Sequence, residues 1–256
     1  MKTSPASLIA ASGLFTTAIT LGSFAVIAPA MAQSTSTVSA NVSLTTDYRF
    51  RGISQNNLKP AIQGGFDLEF GQAYVGTWAS NVGWLADGGG GAVSSSVEMD
   101  LYGGYKGESG SLSYDVGGLY YYYPGTYPSG FNSPDTLEIY GGIGWQGLGL
   151  KVSYAATDLF GFDESDGSTY IDLSYETELA GYTVGAHVGN QQIPSTDGRS
   201  SSECSYTDWS VSGARSFGGF DFTLAYVDTN AKDCYTNAFN KDLGKGTVTL
   251  SVGKSF

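Results

Sequence analysis

The chain of 256 residues carries 24 acidic against 12 basic side chains, a formal net charge of −12, and such an excess of acid argues against binding a polyanion such as nucleic acid. With 37 glycines, 18 tyrosines, 13 phenylalanines and only 14% charged residues, and a mean hydropathy of −0.09, it is too polar on average for a helical membrane protein. A barrel hides its apolar band in every second residue and averages out in this way.

The first residues have the form of an export signal. Lys2 supplies a positive start, the stretch from Leu8 to Ile27 is mostly apolar, and Ala30-Met31-Ala32 gives a small-residue cleavage pattern. Residues 1–32 are therefore expected to be a signal peptide cleaved before Gln33, leaving 33–256 as one domain. The alternative of an uncleaved membrane helix is weakened by Ser12, Thr16, Thr17, Thr20 and Ser23. After residue 33 no run is long enough for a spanning helix, so a membrane could be crossed only by a closed barrel.

The next segment, VSANVSLTTDYRFRG, alternates with period two. Val38, Ala40, Val42, Leu44, Thr46, Tyr48 and Phe50 fall on one face, and Ser39, Asn41, Ser43, Thr45, Asp47, Arg49 and Arg51 on the other. About twelve such segments follow along the chain, near 38–50, 61–70, 72–83, 96–107, 111–123, 135–146, 148–157, 168–179, 181–191, 206–217, 219–228 and 246–256. The connections FGQAY, KGESGS, WQGLGL, ELAGY and SFGGF are tight, glycine-bearing turns. Those between them, from RGISQNNLKP to DTNAKDCYTNAFNKDLGK, are long. Short and long alternate without exception, which predicts an all-β transmembrane antiparallel barrel of about twelve strands with short periplasmic turns, long extracellular loops and both termini in the periplasm. A soluble β-sandwich fits the alternation but gives no reason for long loops at one end only.

Aromatics fall at the strand ends. Phe70, Trp145, Tyr182, Phe217 and Phe256 are expected in a periplasmic girdle, and Tyr48, Phe50, Tyr122 and Tyr154 in an outer one. Arg215 and Lys254 fall on the apolar face close to periplasmic ends, where their stems can snorkel. The last strand, GTVTLSVGKSF, ends on Phe256 and resembles the C-terminal signal that outer-membrane proteins offer to the barrel assembly machinery, although Lys254 stands where an aromatic is common.

The stretches LTTDYRFRGISQNNLKPAIQGGFDLEF, AYVGTWASN, MDLYGGYKG and YDVGGLYYYYPG resemble the TorF-type porins, a proteobacterial outer-membrane family. The likeness runs through the whole chain after the signal and is most specific between residues 44 and 125. It implies an outer-membrane barrel of porin type, and brings no catalytic residues and no substrate.

With the polar face inward, the lumen would carry Asp47, Arg49, Arg51, Asp67, Glu69, Glu98, Asp100, Lys106, Asp115, Glu138, Lys151, Asp172, Glu176, Glu178, Asp208 and Asp221, together with His187. Twelve are acids and four are bases, so an open lumen would concentrate cations and repel anions. Asp67, Asp100, Asp115, Asp172 and Lys151 lie near strand midpoints and are the candidates for the narrow zone. The lumen is expected to be open, although twelve strands also permit a polar plug of paired charges. Asp47, Arg49 and Arg51 would line the outer mouth, the arginines pairing with neighbouring acids.

Other motifs carry less. Cys204 and Cys234, the two cysteines, lie in the last two long loops and are candidates for a disulfide in an exported protein. GIGWQG matches a dinucleotide-binding string but runs through a strand into a turn, with no helix to receive a pyrophosphate. DLFGFDESDG lacks calcium-loop spacing. His187 is the single histidine and has no serine-centred motif beside it, so no catalytic residues, metal or cofactor are expected. The resulting expectation is a porin-like channel for passive diffusion of small hydrophilic solutes, in contact with outer-membrane lipid and lipopolysaccharide. The alternative is a non-conducting barrel that displays its loops for adhesion or envelope structure.

Overall fold

Alternating segments that bury nothing on their apolar face have one way to satisfy every backbone group without an edge, which is to close on themselves. The computed structural model, which describes residues 36–88, 92–194 and 198–256, does so. Its barrel strands are β1 (Ser36–Thr45), β4 (Ala61–Phe70), β5 (Ala73–Asn81), β6 (Val97–Ser109), β7 (Leu112–Tyr122), β8 (Thr136–Trp145), β9 (Leu148–Ala155), β10 (Thr169–Leu179), β11 (Tyr182–Gln192), β12 (Tyr206–Phe217), β13 (Phe220–Thr229) and β14 (Thr247–Ser255). Each pairs antiparallel with its neighbour, and β14 returns to β1 through the register Asn41↔Ser255 to Thr45↔Ser251. The fold is the expected twelve-strand transmembrane barrel. Residues 1–32, expected to be a cleaved signal, lie outside the described residues.

The five short connections are all two-residue turns. Gln146-Gly147, Ala180-Gly181 and Gly218-Gly219 have positive φ at both positions, whereas Gly71-Gln72 and Gly110-Ser111 place only the glycine there. These are the type I′ and II′ geometries whose twist matches that of paired strands. They share one end of the barrel with Ser36 and Phe256, and the long loops occupy the other.

Outward positions hold the exposed apolar side chains, among them Val38, Leu44, Ile62, Val75, Leu101, Val116, Ile139, Val152, Leu173, Val211 and Leu224. Inward glycines make room for tyrosines lying on the wall: a Cβ at Gly76 would meet the Tyr102 ring at 2.5 Å, and one at Gly117 would meet the Tyr140 hydroxyl at 2.5 Å.

The first strand departs from expectation. It stops at Thr45, and the chain turns into the barrel as a two-stranded hairpin, β2 (Arg49–Phe50) and β3 (Ile53–Ser54). Arg51 (φ 47°) and Gly52 (φ 80°) form its tip. A Cβ on Gly52 would strike Thr229 and Asp208, so only glycine allows the tip to touch the wall at β12 and β13. Tyr48 and Phe50, expected in the outer lipid girdle, point inward instead. Tyr48 is buried in a cluster with Val82, Leu85, Val93, Leu119, Tyr121 and Tyr123, against which Phe50 packs. Period two is common to wall strands and to a hairpin inside the wall, so alternation alone could not separate them.

Loop segments close over this hairpin. Helix α1 (Trp84–Gly88) lies between β5 and β6, with Leu85 buried. Helix α2 (Ser201–Cys204) lies between β11 and β12 and is joined to the last long loop by the Cys204–Cys234 disulfide, with Cα atoms 5.4 Å apart. In α2 the Ser200 amide and hydroxyl bond Glu203 and hold its carboxyl below the usual range. Smaller clusters around Leu159, Ile193 and Cys204, and around Ile53, Tyr206 and Leu243, complete a core at the long-loop end.

Candidate functional site: the barrel interior

The interior divides into two halves of different character. In the long-loop half, the hairpin brings two arginines into the lumen and the wall supplies acids to meet them. Arg49 donates from Nε to Asp47 Oδ2 at 2.6 Å, and from Nη1 to the carbonyls of Gly52, Leu243 and Lys245. Asp47 also accepts from the Ser54 hydroxyl at 2.6 Å. Arg51 donates to Gln191 Oε1 on β11 and to Glu138 Oε2 on β8, both at 2.7 Å. Its guanidinium carbon lies 4.3 Å from the Tyr170 ring centre and 4.7 Å from that of Phe50. A planar, weakly hydrated cation suits such a position better than an ammonium would. The expected pairing of these arginines with neighbouring acids is what the geometry has.

Tyrosines complete the network. Tyr48 and Tyr123 donate to the two oxygens of Glu98 at 2.7 and 2.5 Å, and Tyr121 donates to Glu138 at 3.2 Å. His187 bridges Asp172 (3.1 Å) and Asp208 (3.4 Å), and Tyr170 donates to Asp208 at 3.0 Å. Asp100 differs from its neighbours: it is 1% exposed, and neither carboxylate oxygen has a hydrogen-bond partner.

The short-turn half is reachable by solvent. Lys106 pairs with Glu69 at 2.7 Å, Tyr102 donates to Asp67 at 2.6 Å, and Tyr74 donates to Asp115 at 2.7 Å while also touching the Tyr140 hydroxyl. Lys151 Nζ sits 3.9 Å above the Tyr140 ring. Between the hairpin and strands β7–β10 lies a small cavity of about 30 Å³, bordered by Phe50, Arg51, Tyr140, Lys151, Tyr170 and Asp172 among others.

Every residue selected from the sequence as lumen-lining thus faces inward, but the lumen is not open throughout. Asp47, Arg49, Arg51, Glu98, Asp100, Glu138 and Asp172 are buried in the long-loop half. Asp67, Glu69, Asp115 and Glu176 stay accessible in the short-turn half, and Lys151, level with Asp172 in the sheet, stands at the boundary between the halves. The expectation of an open lumen is corrected for the outer half, where Asp47 pairs with Arg49, Glu138 with Arg51 and Asp172 with His187, Glu98 is held by tyrosine hydroxyls, and Asp100 alone of the selected residues there is left without a partner. Sequence reasoning missed the tyrosines. Their signal was present in YYYY at 120–123, where period two turns Tyr121 and Tyr123 inward and Tyr120 and Tyr122 outward.

Among solved structures, the barrel is similar to an outer membrane channel from Pseudomonas putida F1, at a TM-score of 0.49 and 11% identity over 90% of this chain and 100% of the other. It is also similar to LpxR from Salmonella typhimurium (TM-score 0.41, 11% identity, 85% and 99% covered) and to OccAB3 of Acinetobacter baumannii (0.41, 10%, 83% and 59%). No curated protein matches the chain. Residues 29–256 match the family described as "Bacterial protein of unknown function (Gcw_chp)", and the chain belongs to that family.

Proposed function

We propose that this protein is an outer-membrane channel of porin type, for passive diffusion of small hydrophilic solutes with a preference for cations, and that the Arg49–Ser54 hairpin is its constriction. The observation that carries the reading is a closed barrel with an apolar outside and an inside of twelve acids against four bases. Four bases cannot pair twelve acids, so uncompensated negative charge faces the lumen, and a low-dielectric wall focuses such a field on a passing ion. The accessible acids Asp67, Glu69, Asp115 and Glu176 would act as the cation-selecting surface, with Arg49 and Arg51 setting the bore. The likeness to TorF-type porins agrees with this reading. Bacterial outer membranes are where such barrels reside, so export by the N-terminal signal, contact with lipid and lipopolysaccharide, and delivery through the assembly machinery by Phe256 belong to the same proposal.

An enzymatic role finds little support, since both ring nitrogens of His187 face carboxylates, Asp172 and Asp208, and neither is directed at a hydroxyl. A second reading, the non-conducting barrel that displays its loops, is favoured by the core-like packing of the long-loop half.

The deciding experiment is the reversal potential of refolded protein in a planar bilayer under a KCl gradient. Discrete conductance steps with a cation-selective potential support the channel. Absence of conductance from a heat-modifiable, folded barrel overturns it in favour of loop display.

A further inference from the structure

The outward face of the barrel is apolar almost everywhere, and its charged residues are few enough to be informative. Among the described strand residues that point outward, Arg215 on β12 and Lys254 on β14 are the cations. Arg215 stands opposite Phe222 and Lys254 opposite Val42, which places both on the apolar side of their strands. The two strands flank β13, and each cation lies two residues before an exposed terminal phenylalanine, Phe217 or Phe256. Both are therefore at the short-turn rim and on the same sector of the wall.

A charge on the lipid face is costly at mid-membrane and nearly free at the headgroups, so depth alone makes these cations tolerable. Depth does not explain why both stand on one sector, either side of β13, in a protein whose net charge is −12. Each is backed by aromatics: Arg215 donates to the Tyr182 hydroxyl at 3.2 Å with its guanidinium 5.0 Å from that ring, and Lys254 Nζ lies 5.3 Å from the Phe256 ring and 5.4 Å from that of Phe220. These contacts steady the side chains without neutralising them, since no carboxylate pairs with either among the described residues. The surface between them, over Phe217, Phe220 and Phe222, is apolar and continues up β13 to Leu224.

We propose that the short-turn rim of β12–β14 binds an anionic phospholipid of the leaflet at that end, its acyl chains lying along β13 and its headgroup flanked by Arg215 on one side and Lys254 on the other. A phosphodiester offers the oxygens that a guanidinium and an ammonium both bind, and the phenylalanines receive the glycerol and first methylenes. The lipid-A phosphates of the opposite leaflet are excluded by position. The inference rests on the membrane-embedded reading of the barrel.

The test uses the full mature chain refolded into nanodiscs of phosphatidylglycerol mixed with phosphatidylcholine, followed by native mass spectrometry of the lipid retained. Wild type is expected to retain phosphatidylglycerol preferentially, with about fivefold lost for each of Arg215→Gln and Lys254→Gln, from the roughly 1 kcal/mol that one basic residue contributes near a charged surface. The charge-preserving pair Arg215→Lys with Lys254→Arg should keep most of the preference. A double glutamine variant that folds, by heat-modifiable migration, yet retains the wild-type lipid overturns the site. Displacement of the lipid by millimolar inorganic phosphate also overturns it, by showing a free-anion site instead. A wild-type chain that fails to enter bilayers overturns the membrane reading itself, whereas one that enters without lipid preference overturns only this site.

Discussion

Arg51 and Glu138, 87 residues apart in the chain, meet at 2.7 Å inside the barrel with their side chains 7% and 3% exposed. Removing one partner strands a buried charge, which typically costs about 3–5 kcal/mol. Arg51→Ala should therefore lower the denaturant midpoint of the folded barrel, read by heat-modifiable migration on a gel. Because the same residue anchors the hairpin to β8 and β11, it should also raise single-channel conductance in a planar bilayer. Arg51→Met combined with Glu138→Leu should recover most of the stability while leaving the conductance raised. Unchanged conductance in both variants would remove the hairpin as the constriction.

Selectivity should reside in the accessible half of the lumen. Asp67 and Asp115 each accept a tyrosine hydroxyl, from Tyr102 and Tyr74, so an amide in their place keeps the acceptor and loses the charge. Asp67→Asn and Asp115→Asn together should shift the reversal potential towards zero under a KCl gradient with little change in folding. Glu98→Gln, buried between Tyr48 and Tyr123, should move the potential less.

The Cys204–Cys234 bond spans 30 residues and ties α2 to the last long loop. Loop-closure entropy over that length corresponds to roughly 3–4 kcal/mol. Its removal by Cys204→Ser with Cys234→Ser should leave the barrel wall intact, since neither residue is on a barrel strand. Limited proteolysis of the double variant is expected to cut within the last two long loops, with heat-modifiable migration retained.

Gly117 sits where the wall and the tyrosine layer meet. A Cβ there would come within 2.6 Å of the Gly103 carbonyl oxygen and 2.5 Å of the Tyr140 hydroxyl. Gly117→Ala should cost about 1–3 kcal/mol as an overpacking effect. An alanine at Gly110, whose Cβ would have nothing within 4 Å but whose φ is +66°, provides a control in which backbone strain acts alone. Little or no loss for Gly117→Ala in urea titration, beside a measurable loss for the Gly110 control, would mean that the wall and the tyrosine layer yield freely.

Much of the wall could be read from the chain. The alternation that separates Val38, Val42 and Leu44 from Ser39, Ser43 and Thr45 reports which face meets an apolar surroundings, and the five glycine-bearing turns pin each hairpin register. Both signals are local: each strand pairs with its neighbour in sequence, except where β14 meets β1. The inward set of charges followed directly, as did the cysteine pair. Tyr48 and Phe50 were misplaced because their alternation continues that of β1 without a break, although the wall ends at Thr45.

The sequence by itself therefore determined the barrel, its strand number, its inside and outside, and which end holds the long loops, because pleat and turn geometry repeat along the chain. Only the tertiary structure decided that the first loop folds inward, that Arg49 reaches the carbonyls of Leu243 and Lys245, and that Arg51 reaches Glu138 and Gln191. Those contacts join segments up to 196 residues apart in the chain, where no periodicity links the partners, and burial of charge leaves each to be satisfied by whichever group closure brings within reach.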